Sequence, residues 1–211
     1  MECTKATLQK YLNEDNKDEA VLCALELLET NKISVISLFE DVLVPGLNNF
    51  ACSISKQECM WKLKVRKLIS KTIISASYVH VIKQKKKANK IKTIVCCPRD
   101  EANEINSDIV NDYLLLAGYD SINLGASSDY EEIVNALTTV DCKLLVLSVT
   151  NPLYVIRARK LIDQLEKEFK NVQIAIVGPG FACDNNRAQL TYDYYITNYK
   201  SVLDIDMEDK K

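Results

Sequence analysis

Histidine is almost absent from this sequence, glycine and proline are scarce, and no long apolar run occurs; each gap removes a class of protein. With one histidine in 211 residues, a Ser/His/Asp hydrolase site or a histidine-rich metal centre has almost nothing to be built from. Five glycines and four prolines exclude collagen-like and low-complexity chains. The loop after the first predicted strand holds no glycine, so neither a P-loop nor a GxGxxG fingerprint is present. No stretch approaches the ~18 uninterrupted apolar residues of a membrane span, and the opening MECTKATLQKYLNEDNKDE lacks an apolar leader core. The expectation is a cytoplasmic protein without a membrane segment. The eight cysteines include no CxxC and no Cys/His set at zinc-ligand spacing, and they lie scattered in apolar segments of a chain long enough to need no staples. They read as reduced, mostly buried small hydrophobes.

What is present is the composition of a globular protein, 47% hydrophobic and 27% charged, with a charge asymmetry beneath a net −2. Residues 1–90 carry 15 Lys/Arg against 10 Asp/Glu, and residues 91–211 carry 12 against 19. The excess of lysine is too small for a nucleic-acid-binding face. The one basic cluster, Lys83, Lys85, Lys86, Lys87, Lys90 and Lys92, reads as a solvated linker.

Before that linker the apolar period is helical. Ala20, Val21, Ala24, Leu25, Leu27 and Leu28 mark a helix over Asp18–Glu29, with a shorter one near Leu8–Leu12. A further helix is expected over Val35–Phe50, interrupted at Pro45-Gly46, and another over Lys56–Lys83. Joined by short loops, these make a four-helix bundle over residues 1–85. After the linker, β-rich runs alternate with helical stretches at Ile91–Cys97, Ser121–Leu124, Leu144–Ser148, Gln173–Val177 and Tyr194–Thr197. Five βα units in series predict an α/β domain over 91–211, a five-stranded parallel doubly wound sheet in the flavodoxin-like order 2-1-3-4-5.

In that order a crevice opens between strands 1 and 3 at their carboxyl ends, and three loops meet there. The first is the polar and acidic Pro98–Asn106, the second Val149–Pro152 with the hydroxyls of Ser148 and Thr150 beside it, and the third Gly178-Pro179-Gly180, where missing side chains let a bulky group approach the backbone. Asp100 and Glu101 read either as an acidic pair for Mg²⁺ or as the N-terminal cap of a helix starting near Glu101. His80 and Trp61 with Phe50 read as helix-packing residues, and Cys96-Cys97 places one thiol on each face of strand 1.

The order of these segments resembles the cobalamin-binding proteins, namely corrinoid carriers of methyltransferase systems and related cobalamin-sensing regulators. FEDVLVPGLNNFACSISKQEC is similar to that family's I-x-P turn and closing Q-E-H, and NSDIVNDYLLLAGYDSINLG to the helix and strand after its D-x-H-x-x-G loop. LLVLSVT, IVGPGFA and TYDYYITNY resemble its S-x-L strand end, glycine-rich turn and last strand. The resemblance places Glu101 at the family's Asp, Asn103 at the cobalt-ligating His and Asn106 at the Gly. It places Asn48 at the sensors' Trp and Cys59 at the His of Q-E-H, and Glu58 keeps its place. An asparagine amide nitrogen has no free lone pair and its oxygen is a hard donor, so the lower axial ligand is missing.

The resemblance therefore implies a non-enzymatic corrinoid-binding sensor or regulator that takes cobalamin with its own dimethylbenzimidazole on cobalt. The set of residues implied for the cofactor is Asn48, Glu58, Cys59, Glu101, Asn103, Asn106, Ser148, Thr150, Gly178 and Gly180. Two alternatives stay open: a degenerate member that binds no cobalamin and serves as a protein-interaction or other-ligand module, and a methyl carrier. A protein partner or a homodimer is compatible with each. The period switch makes one outcome testable at once. Limited proteolysis should cut first between Lys83 and Lys92, and a first cut inside Ile91–Cys97 would overturn the boundary.

Overall fold

Thr4 starts the chain's first helix, its hydroxyl accepting a hydrogen bond from the Thr7 N–H at 3.1 Å, a side-chain cap for an otherwise orphaned donor. In the computed structural model, which describes residues 2–48, 56–87 and 91–205, the chain divides into two units, Met1–Gln84 and Lys85–Lys211. Among the described residues no helix is long and apolar enough to cross a membrane.

The first unit is helical: α1 (Lys5–Asn13), α2 (Lys17–Glu29), α3 (Val35–Leu38), α4 (Val44–Asn48) and α5 (Lys56–Gln84). Acidic Asp18 and Glu19 lie in the first turn of α2, where the helix dipole favours them. Its buried stripe, Ala20, Cys23, Ala24, Leu27 and Leu28, falls at helical spacing. The expected break at Pro45-Gly46 is displaced. The irregularity is a π turn over Phe39–Leu43, closed by the Val44 N–H on the Phe39 carbonyl, and Pro45 follows directly in α4, so the helix accommodates the missing N–H at the widened turn that precedes it. Arg66, expected to be an ordinary charge on a long helix, is buried. It donates to the Leu12 carbonyl of α1 at 3.1 Å and to the Gly46 carbonyl of α4 at 3.3 Å, so one guanidinium serves the carboxyl ends of two helices. Trp61, expected in the core, is half exposed at 51%, and Phe50 lies outside the described residues.

The second unit carries the sheet: β1 (Lys92–Pro98), β2 (Asp120–Ser128), β3 (Leu144–Ser148), β4 (Gln173–Val177) and β5 (Tyr194–Ile196), with α6 (Ile105–Ala117), α7 (Tyr130–Val140), α8 (Val155–Glu168) and the short α9 (Asp184–Arg187) between them. All strand pairs are parallel and the order is 2-1-3-4-5. Every residue of β3 is buried, as a strand covered on both faces requires. The fourth and fifth βα units depart from expectation. A 3₁₀ turn and α9 follow β4, and a 3₁₀ turn over Tyr199–Asp204 follows β5.

Strand alternation sorts the core. Ile94, Cys96, Leu145, Leu147 and Ile176 share one cluster with Ile133 and Leu137 of α7 and Ile162 and Leu165 of α8. The next residue, Cys97, points the other way, its thiol 3.6 Å from the Ser107 hydroxyl of α6. On that face the terminal 3₁₀ turn lies against α6, with the Tyr113 and Tyr199 rings stacked at 6.2 Å. Tyr113 is fully buried, and a side chain of that size contributes about 2–3 kcal/mol by burial.

Helix α6 also buries a charge. Asp112 is 4% exposed, its Oδ2 has no hydrogen-bond partner, and burial, then the neighbouring Asp108, push its carboxyl up to about 7. The unfolded chain releases that proton near 3.8, so between roughly pH 4 and 7 unfolding gains a charge that the folded state resists. Stability should fall as pH rises through that window and level off above it. Urea unfolding of wild type and Asp112→Asn should coincide near pH 4 and diverge towards pH 8, with the variant more stable by about 2–4 kcal/mol. A constant difference across the window would overturn the assignment.

Candidate functional site

The carboxyl edge of the sheet in the second unit gathers the loops after β1, β3 and β4, and Glu101 organises it. Its side chain is 3% exposed. Oε2 accepts from the Thr150 and Asn151 N–H groups at 2.8 and 2.9 Å, and Oε1 from the Asn103 N–H at 3.0 Å. A carboxylate with three backbone donors is a charge-assisted arrangement that can live out of water. Both readings of the acidic pair therefore change. α6 starts at Ile105 with Glu104 at its N-cap position, so Glu101 caps no helix, and it ties the first loop to the loop after β3. Asp100 turns outward to Arg157 of α8 at 3.0 Å. Among the described residues, no group of three or more Asp, Glu, His or Cys side chains is arranged to hold a metal ion.

The first loop is also fastened to the end of β2. The Asp100 N–H donates to the Ser127 hydroxyl at 3.1 Å, and the Ser127 N–H to the Glu101 carbonyl at 3.0 Å. Asp100 and Ser127 have φ of 73° and 55°, left-handed conformations that non-glycine residues hold only where the surroundings enforce them. Glu104 accepts from the Ala126 N–H at 3.2 Å.

Asn106 forms a second bridge, donating through Nδ2 to the Thr150 hydroxyl at 3.0 Å and accepting at Oδ1 from the Tyr199 hydroxyl at 2.6 Å. Tyr199, Ser127 and Arg157 escaped the sequence reading, because each acts on a residue distant in sequence and carries no local motif. Ser148 ends β3, is fully buried and finds no partner in bonding geometry for its hydroxyl, although it lies close enough to the Cys97 thiol to influence it. Burial pushes that thiol up to about 11, which keeps it protonated and a poor nucleophile.

Gly178 and Gly180 do not open the edge. A Cβ at Gly178, whose φ is +109°, would lie 2.4 Å from the Val149 carbonyl oxygen, and one at Gly180 would lie 2.8 Å from it. The space beside both glycines is taken by Val149, whose carbonyl accepts the Gly180 N–H at 2.9 Å. Their lack of a side chain allows two loops to touch. A bulky residue at Gly178 would therefore disturb the fold whether or not a ligand passes there.

Of the expected set, the structure brings Glu101, Asn103, Asn106, Ser148, Thr150, Gly178 and Gly180 to one edge. Asn48 ends α4 and Glu58 lies on α5, with side chains outside the described residues. Cys59, expected as a reduced thiol, is disulfide-bonded, which removes it as a thiolate ligand, and Cys183, expected to be buried, is exposed. His80 sits half-buried on α5.

Glu101→Ala removes one acceptor from three N–H groups and should lower the urea-unfolding free energy at pH 7 by roughly 3–5 kcal/mol, with Glu101→Gln in between. A loss below about 1 kcal/mol for the alanine variant would show that water replaces the carboxylate freely.

No family model and no curated protein sequence matches the chain. Solved structures do. The chain is similar to the monomethylamine corrinoid protein of Methanosarcina barkeri, with a TM-score of 0.80 at 16% identity over 94% of each chain. It also matches a methanol:cobalamin methyltransferase complex of Methanosarcina barkeri, at TM-score 0.47 and 16% identity over 93% of this chain and 75% of that one. A third match is a cobalamin-binding protein of Desulfitobacterium hafniense, at TM-score 0.48 and 15% identity over 95% and 96%. At these identities the first likeness shows the fold: a helical unit followed by a flavodoxin-like sheet, the architecture of a corrinoid protein.

Proposed function

We propose that this chain is a non-enzymatic, corrinoid-responsive regulatory protein that neither ligates cobalt nor carries methyl groups. One observation carries the reading. Asn103 occupies the place implied for the cobalt ligand, and its backbone is fixed on both sides, the N–H by Glu101 at 3.0 Å and the carbonyl by the Cys97 thiol at 3.7 Å. The second unit contains no histidine, since the sole one, His80, belongs to the first. The donor set at the edge therefore does not fit a protein-bound cobalt. A carrier depends on that ligand to tune the metal, whereas a sensor needs only binding that differs between ligand states. The buried hydroxyl of Ser148 is the feature of this edge that a polar group of a ligand would satisfy.

A second reading, a module that keeps the fold and recognises something other than a corrinoid, is favoured by the closure of the edge. Glu101 and the Thr150–Asn106–Tyr199 chain already match their polar groups with one another, and a corrinoid tail entering there has to displace them.

The test mixes the full chain with hydroxo-, methyl- or adenosylcobalamin and passes it through a desalting column. The first reading expects co-eluting corrinoid with no superhyperfine coupling to protein nitrogen in the paramagnetic spectrum of the reduced form. Coupling to isotope-labelled protein nitrogen would defeat the unligated state. Failure to retain any form, with failure of Asn103→His/Asn106→Gly as well, would establish the second reading in place of the first.

A further inference from the structure

Helix α5 of the first unit shows solvent a face that is not built for solvent. Met60, Trp61, Leu68, Tyr78, Val79 and Ile82 are exposed, Leu68 by 63% and Met60 by 58%. At 100° per residue they fall, with exposed Lys64 and Ser75, inside one arc of about 100°. The buried Arg66, Ile69, Ile73, Ile74 and Val81 lie opposite. A helix with water on its outer side ordinarily carries charged residues there, and one apolar on both sides is covered on both sides.

The stripe has the spacing of a helix-packing seam. Residues 61, 64, 68, 71, 75, 78 and 82 alternate steps of three and four, the repeat by which one helix receives another. From Trp61 to Ile82 it runs about 32 Å, six helical turns. Its charge has one sign. Between Cys59 and Gln84 there are six Lys or Arg and no Asp or Glu, and two of those lysines, Lys64 and Lys71, fall on the seam. A second copy of the chain laid on this seam would bring together two helices that each carry six Lys or Arg and no Asp or Glu over this span, which like-charge repulsion disfavours.

We propose that this stripe docks an amphipathic acidic helix of a partner protein, with apolar residues at three-four spacing against Trp61, Leu68, Tyr78 and Ile82, and Asp or Glu beside the exposed Lys64. The apolar contacts supply affinity and Lys64 sets the sign and register of the partner. The inference is independent of whether the other unit takes a corrinoid.

The only tryptophan of the chain is Trp61, so its fluorescence reports the stripe directly. The probe is a synthetic three-heptad helix with Leu at the seam and Glu on its flanks, compared with a twin bearing Lys in place of Glu. The expected result is a saturable blue shift with the Glu peptide, weakened about tenfold from low to high salt, and little response to the Lys twin. Lys64→Glu should weaken binding of the Glu peptide and strengthen that of the Lys twin. Leu68→Ser/Ile82→Ser should weaken binding at least about tenfold while circular dichroism shows the fold retained. Equal responses to both peptides would overturn the proposal. So would a shift produced by concentrating the protein alone, which identifies a second copy, or by anionic phospholipid vesicles without response to either peptide, which identifies a lipid surface.

Discussion

A buried carboxylate cannot remain charged without donors, and Glu101 has recruited three from two loops. The rest of the carboxyl edge depends on this interaction. Because Thr150 is held by its backbone, its hydroxyl stands where Asn106 can reach it, and because Asn106 is so oriented it receives Tyr199 from the 3₁₀ turn after β5. Removing the carboxylate would leave the donors unmatched in a region where water has little access, so the cost of the charge and the cost of the donors cancel only while the two remain together.

The same constraint shapes what the edge can do. In an open doubly wound sheet the crevice beside the first and third strands is where ligands enter, and here its polar groups are engaged with one another. Cys97 is held as a thiol by burial, and Gly178 and Gly180 are filled against Val149. The fold resembles that of a corrinoid protein, while Glu101, Asn106 and Thr150 at this edge hold one another as a structural loop does.

The helical unit follows a different rule. Its long helix α5 has one face satisfied by the unit itself, through Ile69, Ile73, Ile74 and Val81 and through Arg66 on two helix ends. Its other face exposes Trp61, Leu68, Tyr78 and Ile82. Propensity alone does not hold such a helix, since most helical stability in proteins comes from packing.

The period of the apolar residues, read without any structure, already separated helices from strands, and the alternation of short β-branched runs with amphipathic stretches already implied the sheet order β2-β1-β3-β4-β5. Side-chain period is a local property of the chain, so it survives in the sequence. The convergence of Glu101, Asn106, Thr150 and the Gly178 loop on one edge was legible for the same reason, because it follows from topology. What these residues do there was not. Glu101 looked like half of a metal-binding pair or a helix cap, Gly178 like an opening, Trp61 like core and Cys59 like a free thiol. In each case the deciding neighbour comes from elsewhere in the fold, as with Thr150, 49 residues from Glu101, and Tyr199, 93 residues from Asn106. Sequence alone determined the strands, their order and the lack of a histidine in the second unit. Tertiary structure decided which polar groups are spent on one another, because hydrogen-bond partnership depends on a few tenths of an ångström between segments whose separation along the chain carries no local signal.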